Sequence, residues 1–347
     1  MVAVMHRTYR QWIQKWEETL AFRTTSREIH AFEWGLEWTR AWPFKHFVQN
    51  SLGPEDYIRN WNEMAVNRSQ TFFDYERPSD FRLDRESLRF TSPVHTPYPE
   101  NNLAQARWYP AKKLARAVVL VPHWNAQIDQ YELLAKSIAK TGISVLRLSP
   151  PYHDYRLPSG QTRAEFAVSS NICRTIDATR QAIIDIRCCF DWLEMQGYYR
   201  LGLVGISLGS CNGFMASAHD ERITTNVFTH CGSSFADIVW TGLSTRHIRE
   251  TLEPSISVET LRQLWRVISP STYLEQFSRK AKKSTLIYSA YDTTVLPYYA
   301  HELIKGARTW GVDLKTVVLP CGHYTLGETP FKFMAGYQIC SFLVKNL

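Results

Sequence analysis

Runs of like charge are missing from this sequence. Nowhere do five or more charges of one sign follow one another. The net charge of +7 and a pI near 9.0 therefore describe a mildly basic, solvated surface, and no nucleic-acid partner is expected. No apolar stretch approaches the roughly 20 residues of a membrane span, so stable membrane insertion is not expected. The N-terminus, MVAVMHRTYRQWIQKWEE, lacks the apolar segment of a secretory signal. Cysteine occurs seven times, an odd number that includes the adjacent Cys188 and Cys189, and no C-x-x-C is present. That usage excludes a disulfide framework and fits reduced thiols in a cytoplasmic protein. Also absent are HExxH or another compact metal-ligand motif, a G-x-G-x-x-G after the first buried strand, internal repeats and low-complexity segments. A metal centre assembled from His123, His153, Asp154 and His230 is set aside for the same reason, and neither metal nor cofactor is expected.

What is present is an ordinary globular composition, 44% hydrophobic and 21% charged over 347 residues, enough for one large or two ordinary domains. Its informative stretch is Leu201 to Ala218, LGLVGISLGSCNGFMASA. An apolar run with the length of a buried strand leads into a small-residue segment that can continue as a helix. Gly205-Ile206-Ser207-Leu208-Gly209 lies between them, a G-x-S-x-G pattern where strand meets helix. A turn this sharp costs on the order of 1–3 kcal/mol of backbone strain and lifts the serine hydroxyl clear of the sheet. The flanking glycines let strand and helix approach. Three fixed positions recur by chance in roughly one chain of this length in ten, so the pattern gains its weight from the remainder of the chain.

Residues 1–80 differ from everything after them. Six of the twelve tryptophans fall here: Trp12, Trp16, Trp34, Trp38, Trp42 and Trp61. Trp12, Ile13, Trp16 and Leu20 share one helix face, as do Ala31, Trp34, Trp38 and Trp42, with Pro43 ending the second helix. Carboxylates at Glu17, Glu18, Glu33 and Glu37 fit poorly with a membrane-facing helix. The rings are expected to pack on the following domain, a dimer surface being the alternative.

From Phe81 onward strands appear, at Ser87–Val94, Leu103–Tyr109 and Arg116–Val121, and then alternate with helices. Helices are expected over Gln130–Lys140 and Ile172–Met195, the latter burying one face through Ile176, Thr179, Ile183, Ile186, Phe190 and Leu193. Strands are expected at Ile143–Leu148, Leu201–Ile206 and Thr224–Thr229. This alternation implies an α/β fold with a mostly parallel sheet covered by helices on both faces. Residues 233–282 break the alternation with helices alone and read as a cap over a pocket. The core resumes at Ser284–Ala290, followed by Tyr291-Asp292-Thr293-Thr294-Val295, a helix over Tyr298–Trp310, a strand at Leu314–Leu319, then Gly322-His323-Tyr324 and a final helix over Phe331–Leu343.

Over 81–347 the chain resembles the α/β-hydrolase superfamily, on GISLG, the acid in YDTTV and the histidine in GHY, in the order Ser, Asp, His. The resemblance implies an α/β-hydrolase fold with a helical cap and an N-terminal helical extension. It implies Ser207 as nucleophile, His323 as the base that takes and returns its proton, and Asp292 as the acid that orients the imidazole. One oxyanion donor would be the Leu208 N–H; the other would come from the loop Pro122-His123-Trp124-Asn125-Ala126, where Trp124 replaces the usual glycine and leaves Trp124 and Asn125 as alternatives. His123, His153, Asp154 and Trp240 are candidates for substrate binding, although His153, Asp154 and Arg156 also read as a polar network that buttresses the oxyanion loop.

The reaction this resemblance implies is hydrolysis of a small-molecule carboxylic ester through an acyl-serine intermediate. The finer likeness is to dienelactone hydrolases and acetyl esterases. A peptidase or amidase of the acylaminoacyl type is the alternative, without the large propeller domain of many of those enzymes. An acyltransferase and a non-catalytic binding protein are others. Aromatic residues at Phe235, Trp240, Trp265, Trp124, Tyr152 and Tyr155 point to an apolar acyl or aromatic group. The composition leaves monomer and homo-oligomer open.

Overall fold

The computed structural model describes residues 2–23, 27–44, 53–112 and 115–347, with side chains from Thr8 onward. Nine strands form one sheet: β1 (Arg82–Asp84), β2 (Ser87–Thr91), β3 (Leu103–Tyr109), β4 (Arg116–Val121), β5 (Ser144–Ser149), β6 (Arg200–Ile206), β7 (Ile223–Thr229), β8 (Lys283–Ser289) and β9 (Leu314–Leu319). Their order is β1-β2-β3-β5-β4-β6-β7-β8-β9. The pairs from β1 to β3 and β3 with β5 are antiparallel, and every pair from β5 to β9 is parallel. This is the α/β-hydrolase arrangement, with β4 to β7 almost wholly buried. The apolar runs of β4 and β6 follow from that position, since a parallel strand covered on both faces has no solvent side on which to alternate.

Helices cover both faces. Leu208–Ala218 and Ile172–Met195 lie in one apolar layer, while Ile13, Ala135, Ile339 and Leu343 meet Val118 and Leu120 in the other. Ile172–Met195 corrects an expectation: it is buried on nearly every side rather than along one face. The residues before β1 cover its outer side. Trp42 Nε1 donates to Asp177 Oδ1 at 2.7 Å, Tyr75 donates to Asp191 at 2.9 Å, and Arg180 Nε donates to the Phe72 carbonyl at 2.7 Å. Trp42 and Trp61 pack against each other with ring centroids 4.1 Å apart.

The helix expected through Ala31, Trp34, Trp38 and Trp42 does not form. Glu33 instead pairs with Asn171 in a parallel bridge. Ile172 N donates to Glu33 O at 2.9 Å and Cys173 N to Trp34 O at 3.1 Å. Gly35 then turns at φ +68° and a single 3₁₀ stretch, Leu36–Ala41, follows. Backbone bonding to the start of another helix outcompetes the local helical pattern. β2 also ends earlier than expected, at Thr91, because Ser92 turns its hydroxyl to Asp185 at 2.7 Å.

The first helix, α1 (Val2–Ala21), lies across the opposite face. Its Ile13 is fully buried, Trp16 lies 6.3 Å from Phe331, and Tyr9 donates to the Pro320 carbonyl at 2.5 Å. Between β7 and β8 the chain forms the helices Phe235–Thr241, Arg246–Leu252, Val258–Leu264 and Leu274–Ser278, without a strand. Among the described residues no helix is long and apolar enough to cross a membrane, and all seven cysteines are free thiols.

Candidate active site

Ser207 follows β6 directly, at φ +53° and ψ −118°. Conformations of this kind cost a non-glycine residue on the order of 1–3 kcal/mol. Three contacts hold it there. Ser207 N donates to Thr229 O at 2.7 Å, Ser210 N donates to Ser207 O at 2.8 Å, and Ser210 Oγ donates to Thr229 O at 2.7 Å. The motif glycines are required sterically. A Cβ on Gly205 would lie 2.5 Å from Gly209 O, and one on Gly209 would lie 2.3 Å from Val121 O and 2.4 Å from Pro122 O. The loop after β4 is thus pressed against the turn that carries Ser207.

His323 arrives on the loop after β9 and Asp292 on the loop after β8. Ser207 Oγ is 3.0 Å from His323 Nε2, and His323 Nδ1 is 2.9 Å from Asp292 Oδ2 and 3.1 Å from Oδ1. Facing a carboxylate, Nδ1 carries the proton, which leaves Nε2 to accept the serine hydroxyl. Burial lowers the pKa of His323, but the charge and hydrogen bond of Asp292 outweigh it and hold the pKa above the ordinary imidazole value. Burial likewise opposes the charge on Asp292, and the neighbouring His323 and His230 together with the Thr294 amide bring its pKa below the usual carboxylate value. Thr294 N and Val295 N each donate to Asp292 Oδ1 at 2.8 Å.

Two further residues complete the surroundings. His230, at φ +58° after β7, stacks on His323 with centroids 4.5 Å apart. Its Nε2 is 2.8 Å from Ser289 Oγ and 3.6 Å from Asp292 Oδ2, and burial pushes its pKa down to about 3. It is neutral at physiological pH and backs the His323 ring. Glu17 of α1 is fully buried beneath the His323 loop, and its carboxylate accepts from the backbone N–H groups of His323, Tyr324 and Thr325.

The loop after β4 separates its two alternatives. Asn125, at φ +62°, gives its backbone N–H to His153 Nε2 at 2.9 Å. The backbone N–H groups of Trp124 and Leu208 have no partner among the described residues. The Trp124 indole donates to Ala164 O at 2.8 Å and lies parallel to His247 of the insertion, centroids 6.2 Å apart.

Of the substrate-binding candidates, His153 and Asp154 are turned into the protein. His153 is 1% exposed and also contacts Pro151 O at 2.8 Å, and Asp154 pairs with buried Arg147 at 2.8 Å. Arg156 is bound by Asp185 and the Asn101 and Ser149 carbonyls. Of these groups His153, through Asn125 N, and Arg147, through the Gln127 carbonyl at 2.6 Å, bond the loop after β4, whereas Arg156 does not reach it. Ionised and polar groups this deep need partners. His123 is half-buried, with Nδ1 2.5 Å from Tyr131 Oη, and burial, reinforced by the neighbouring His323, His153 and Arg147, lowers its pKa to about 3.

Trp240 is half-buried and lines a cavity of about 860 Å³ with Arg10, Arg246, Tyr291 and Asp292; neither Ser207 nor His323 borders that cavity. The aromatic set expected to receive an acyl group is dispersed. Phe235, Trp265 and Tyr152 are buried core, and Tyr155 is exposed. Among the described residues, the metal-capable donors that cluster are His230, Asp292 and His323. His123, His153 and Asp154 do not join them. A cation there would have to replace the His323–Asp292 hydrogen bond.

The family described as "Alpha/beta hydrolase domain containing 18" matches residues 123–293, a span that begins on the loop after β4 and ends just after Asp292. No curated protein sequence matches. Among solved structures, the Pyrococcus horikoshii acylaminoacyl peptidase is similar with a TM-score of 0.57 at 12% identity, over 76% of this chain and 41% of that one. A Mycobacterium tuberculosis puromycin-hydrolyzing peptidase has a TM-score of 0.54 at 12% identity, over 79% and 48%. A cold-adapted esterase from an Arctic intertidal metagenomic library has a TM-score of 0.50 at 15% identity, over 79% and 99%. The chain thus spans less than half the length of the peptidases and nearly all of the esterase. At these identities the likeness is one of fold. Taken with the sheet order it shows the α/β-hydrolase fold, and the family match over residues 123–293 supports the α/β-hydrolase superfamily.

Proposed function

We propose that this protein is a serine hydrolase that cleaves a carboxylic ester through an acyl-serine intermediate. The observation that carries the reading is the continuous hydrogen-bonded path from Ser207 Oγ through His323 to Asp292, with links of 3.0 and 2.9 Å. Ser207 attacks the carbonyl carbon as its proton passes to His323 Nε2, and Asp292 stabilises the imidazolium that results. The oxygen that gains charge sits against the Leu208 and Trp124 N–H groups, the two that have no other partner among the described residues. Of the two alternatives for the second donor, Trp124 fits this role because Asn125 is committed to His153. His323 then returns the proton to the leaving alcohol, and water, activated by the same imidazole, releases the acid.

The test is covalent labelling by a fluorophosphonate probe, followed by hydrolysis of matched nitrophenyl esters and nitroanilides. The parent is expected to label. Ser207→Ala should abolish labelling with the fold intact, since loss of a triad serine costs on the order of 10⁶ in rate. Ester turnover above anilide turnover is the expected preference. A folded parent that leaves the probe untouched would overturn the reading.

A further inference from the structure

The reaction proposed above needs His323 held to within a few tenths of an ångström between two partners. Its loop has little of its own to hold it. Gly322, His323 and Tyr324 lie outside regular structure, and the bond closing the turn is Gly322 N to Thr325 Oγ1 at 2.7 Å. Tyr291 N also donates to Cys321 O at 2.9 Å and Gly327 N to Tyr324 O at 3.0 Å, on either side of His323. The bond to the His323 amide itself comes from α1. Glu17 Oε2 accepts from His323 N at 2.8 Å and Tyr324 N at 3.1 Å, and Oε1 accepts from Thr325 N at 2.6 Å. Oε2 also accepts from Thr293 Oγ1 at 3.1 Å, one residue after Asp292. Both oxygens only accept, the pattern of a carboxylate. Three successive amides converging on one anion form a nest, here filled from within the chain. Among the described residues no lysine or arginine forms an ion pair with Glu17, so its partners are these donors.

We propose that Glu17 is a positioning residue for the reaction, its carboxylate tying the His323 loop to the Asp292 loop in the register that lets the imidazole bridge Ser207 and Asp292. The inference rests on the serine-hydrolase reading. Two neighbouring contacts tie α1 to the same two loops: Tyr9 on the Pro320 carbonyl and Tyr9 against Tyr291 at 5.7 Å. Gly322 has no Cβ where Glu17 needs room, since one would lie 2.2 Å from Glu17 Cδ.

The experiment compares Glu17→Gln, Glu17→Asp and Glu17→Ala with the full-length parent. For each, the fraction of sites that take up the fluorophosphonate is measured separately from the second-order rate of labelling per site, across pH. Groups facing His323 are Asp292, His230, His123, Cys211, Tyr324 and Glu17. Glu17→Gln keeps the shape and removes the charge. It is expected to retain a full complement of sites, to label 10 to 100-fold more slowly, and to move the acid limb of the rate to lower pH, since the Glu17 charge helps raise the His323 pKa. Glu17→Asp should recover part of the rate.

Rates per site within twofold of the parent in Glu17→Gln and Glu17→Ala would overturn the proposal. So would fewer sites reacting at the parental rate, which is the signature of a purely structural residue, or insoluble protein from all three variants. A parent that does not label fails the serine-hydrolase reading, whereas a parent that labels beside unaffected Glu17 variants fails this inference alone.

Discussion

Ser207 and His323 meet at 3.0 Å, yet they are delivered by opposite means. Ser207 is set by a turn whose own residues, Gly205 to Ser210, are packed and bonded against the backbone of β7 and of the loop after β4. Two glycines leave no room for a Cβ, and Ser210 closes the turn. His323 is set by a side chain 306 positions away in sequence. The turn at Ser207 is enforced by backbone-to-backbone crowding at its two glycines together with hydrogen bonds to the Thr229 carbonyl. The amides of the His323 loop are held by attraction to one carboxylate at the end of a side chain, and removing it is expected to leave the sheet folded. Strain and hydrogen bonding thus produce equal precision at two ends of one contact, with unequal robustness.

The largest effect that would sharpen this contrast is expected at Gly209→Ala. Its Cβ would meet the backbone oxygens of Val121 and Pro122 at 2.3 and 2.4 Å, and backbone cannot swing aside. A stability loss of about 3 kcal/mol in denaturant unfolding is expected. An unchanged midpoint would show that the turn has slack and would break the comparison.

A smaller effect, of a different kind, is expected at Gly322→Ala. The clash there is with Cδ, Cγ and Oε1 of Glu17 at 2.2, 2.5 and 2.6 Å, atoms at the free end of a side chain. The carboxylate should be displaced, lowering stability by about 1 kcal/mol and the labelling rate per site by about 10-fold. A change in stability at a parental rate would mean that the loop holds itself.

The smallest is a difference in pH response. The turn at Ser207 contains no titrating group, so the acid limb of labelling belongs to His323. Its pKa lies above the ordinary 6.5, burial being outweighed by Asp292. The imidazole must be neutral to accept the serine proton. Labelling is therefore expected to be full at alkaline pH and to fall as pH drops through a midpoint above 6.5. A midpoint at or below 6.5 would show that Asp292 does not prevail over burial.

Much of the fold was legible along the chain. β4 and β6 are continuous apolar runs whose pattern survives because both faces are covered. Ile172–Met195 was legible as a helix, but its burial on all sides was not. The partners that cover it, Trp42 and Phe72 among them, lie more than 100 positions away. β1 carries one apolar residue, Leu83, between Arg82 and Asp84, all three exposed, and is defined by its pairing with β2. In the site, Ser207, Asp292 and His323 could be singled out by motif and by order after successive strands. His153 and Asp154 could be found but not aimed, because a polar side chain beside a strand end can face the pocket or the protein with the same sequence around it. Glu17 was not marked for the site, being one of two adjacent glutamates on an amphipathic helix.

The sequence by itself determined that strands and helices alternate, that a serine stands on a sharp turn between them, and that an acid and a histidine follow later strands. All of these depend on steric and hydrophobic patterns among residues close together in the chain. Only the tertiary structure decided that the Asn125 amide is taken by His153 while those of Trp124 and Leu208 are not, and that α1 supplies the carboxylate for the His323 loop. Every residue but proline carries the same backbone N–H, so no pattern in side chains reveals which amide will lack a partner or which distant carboxylate will satisfy it.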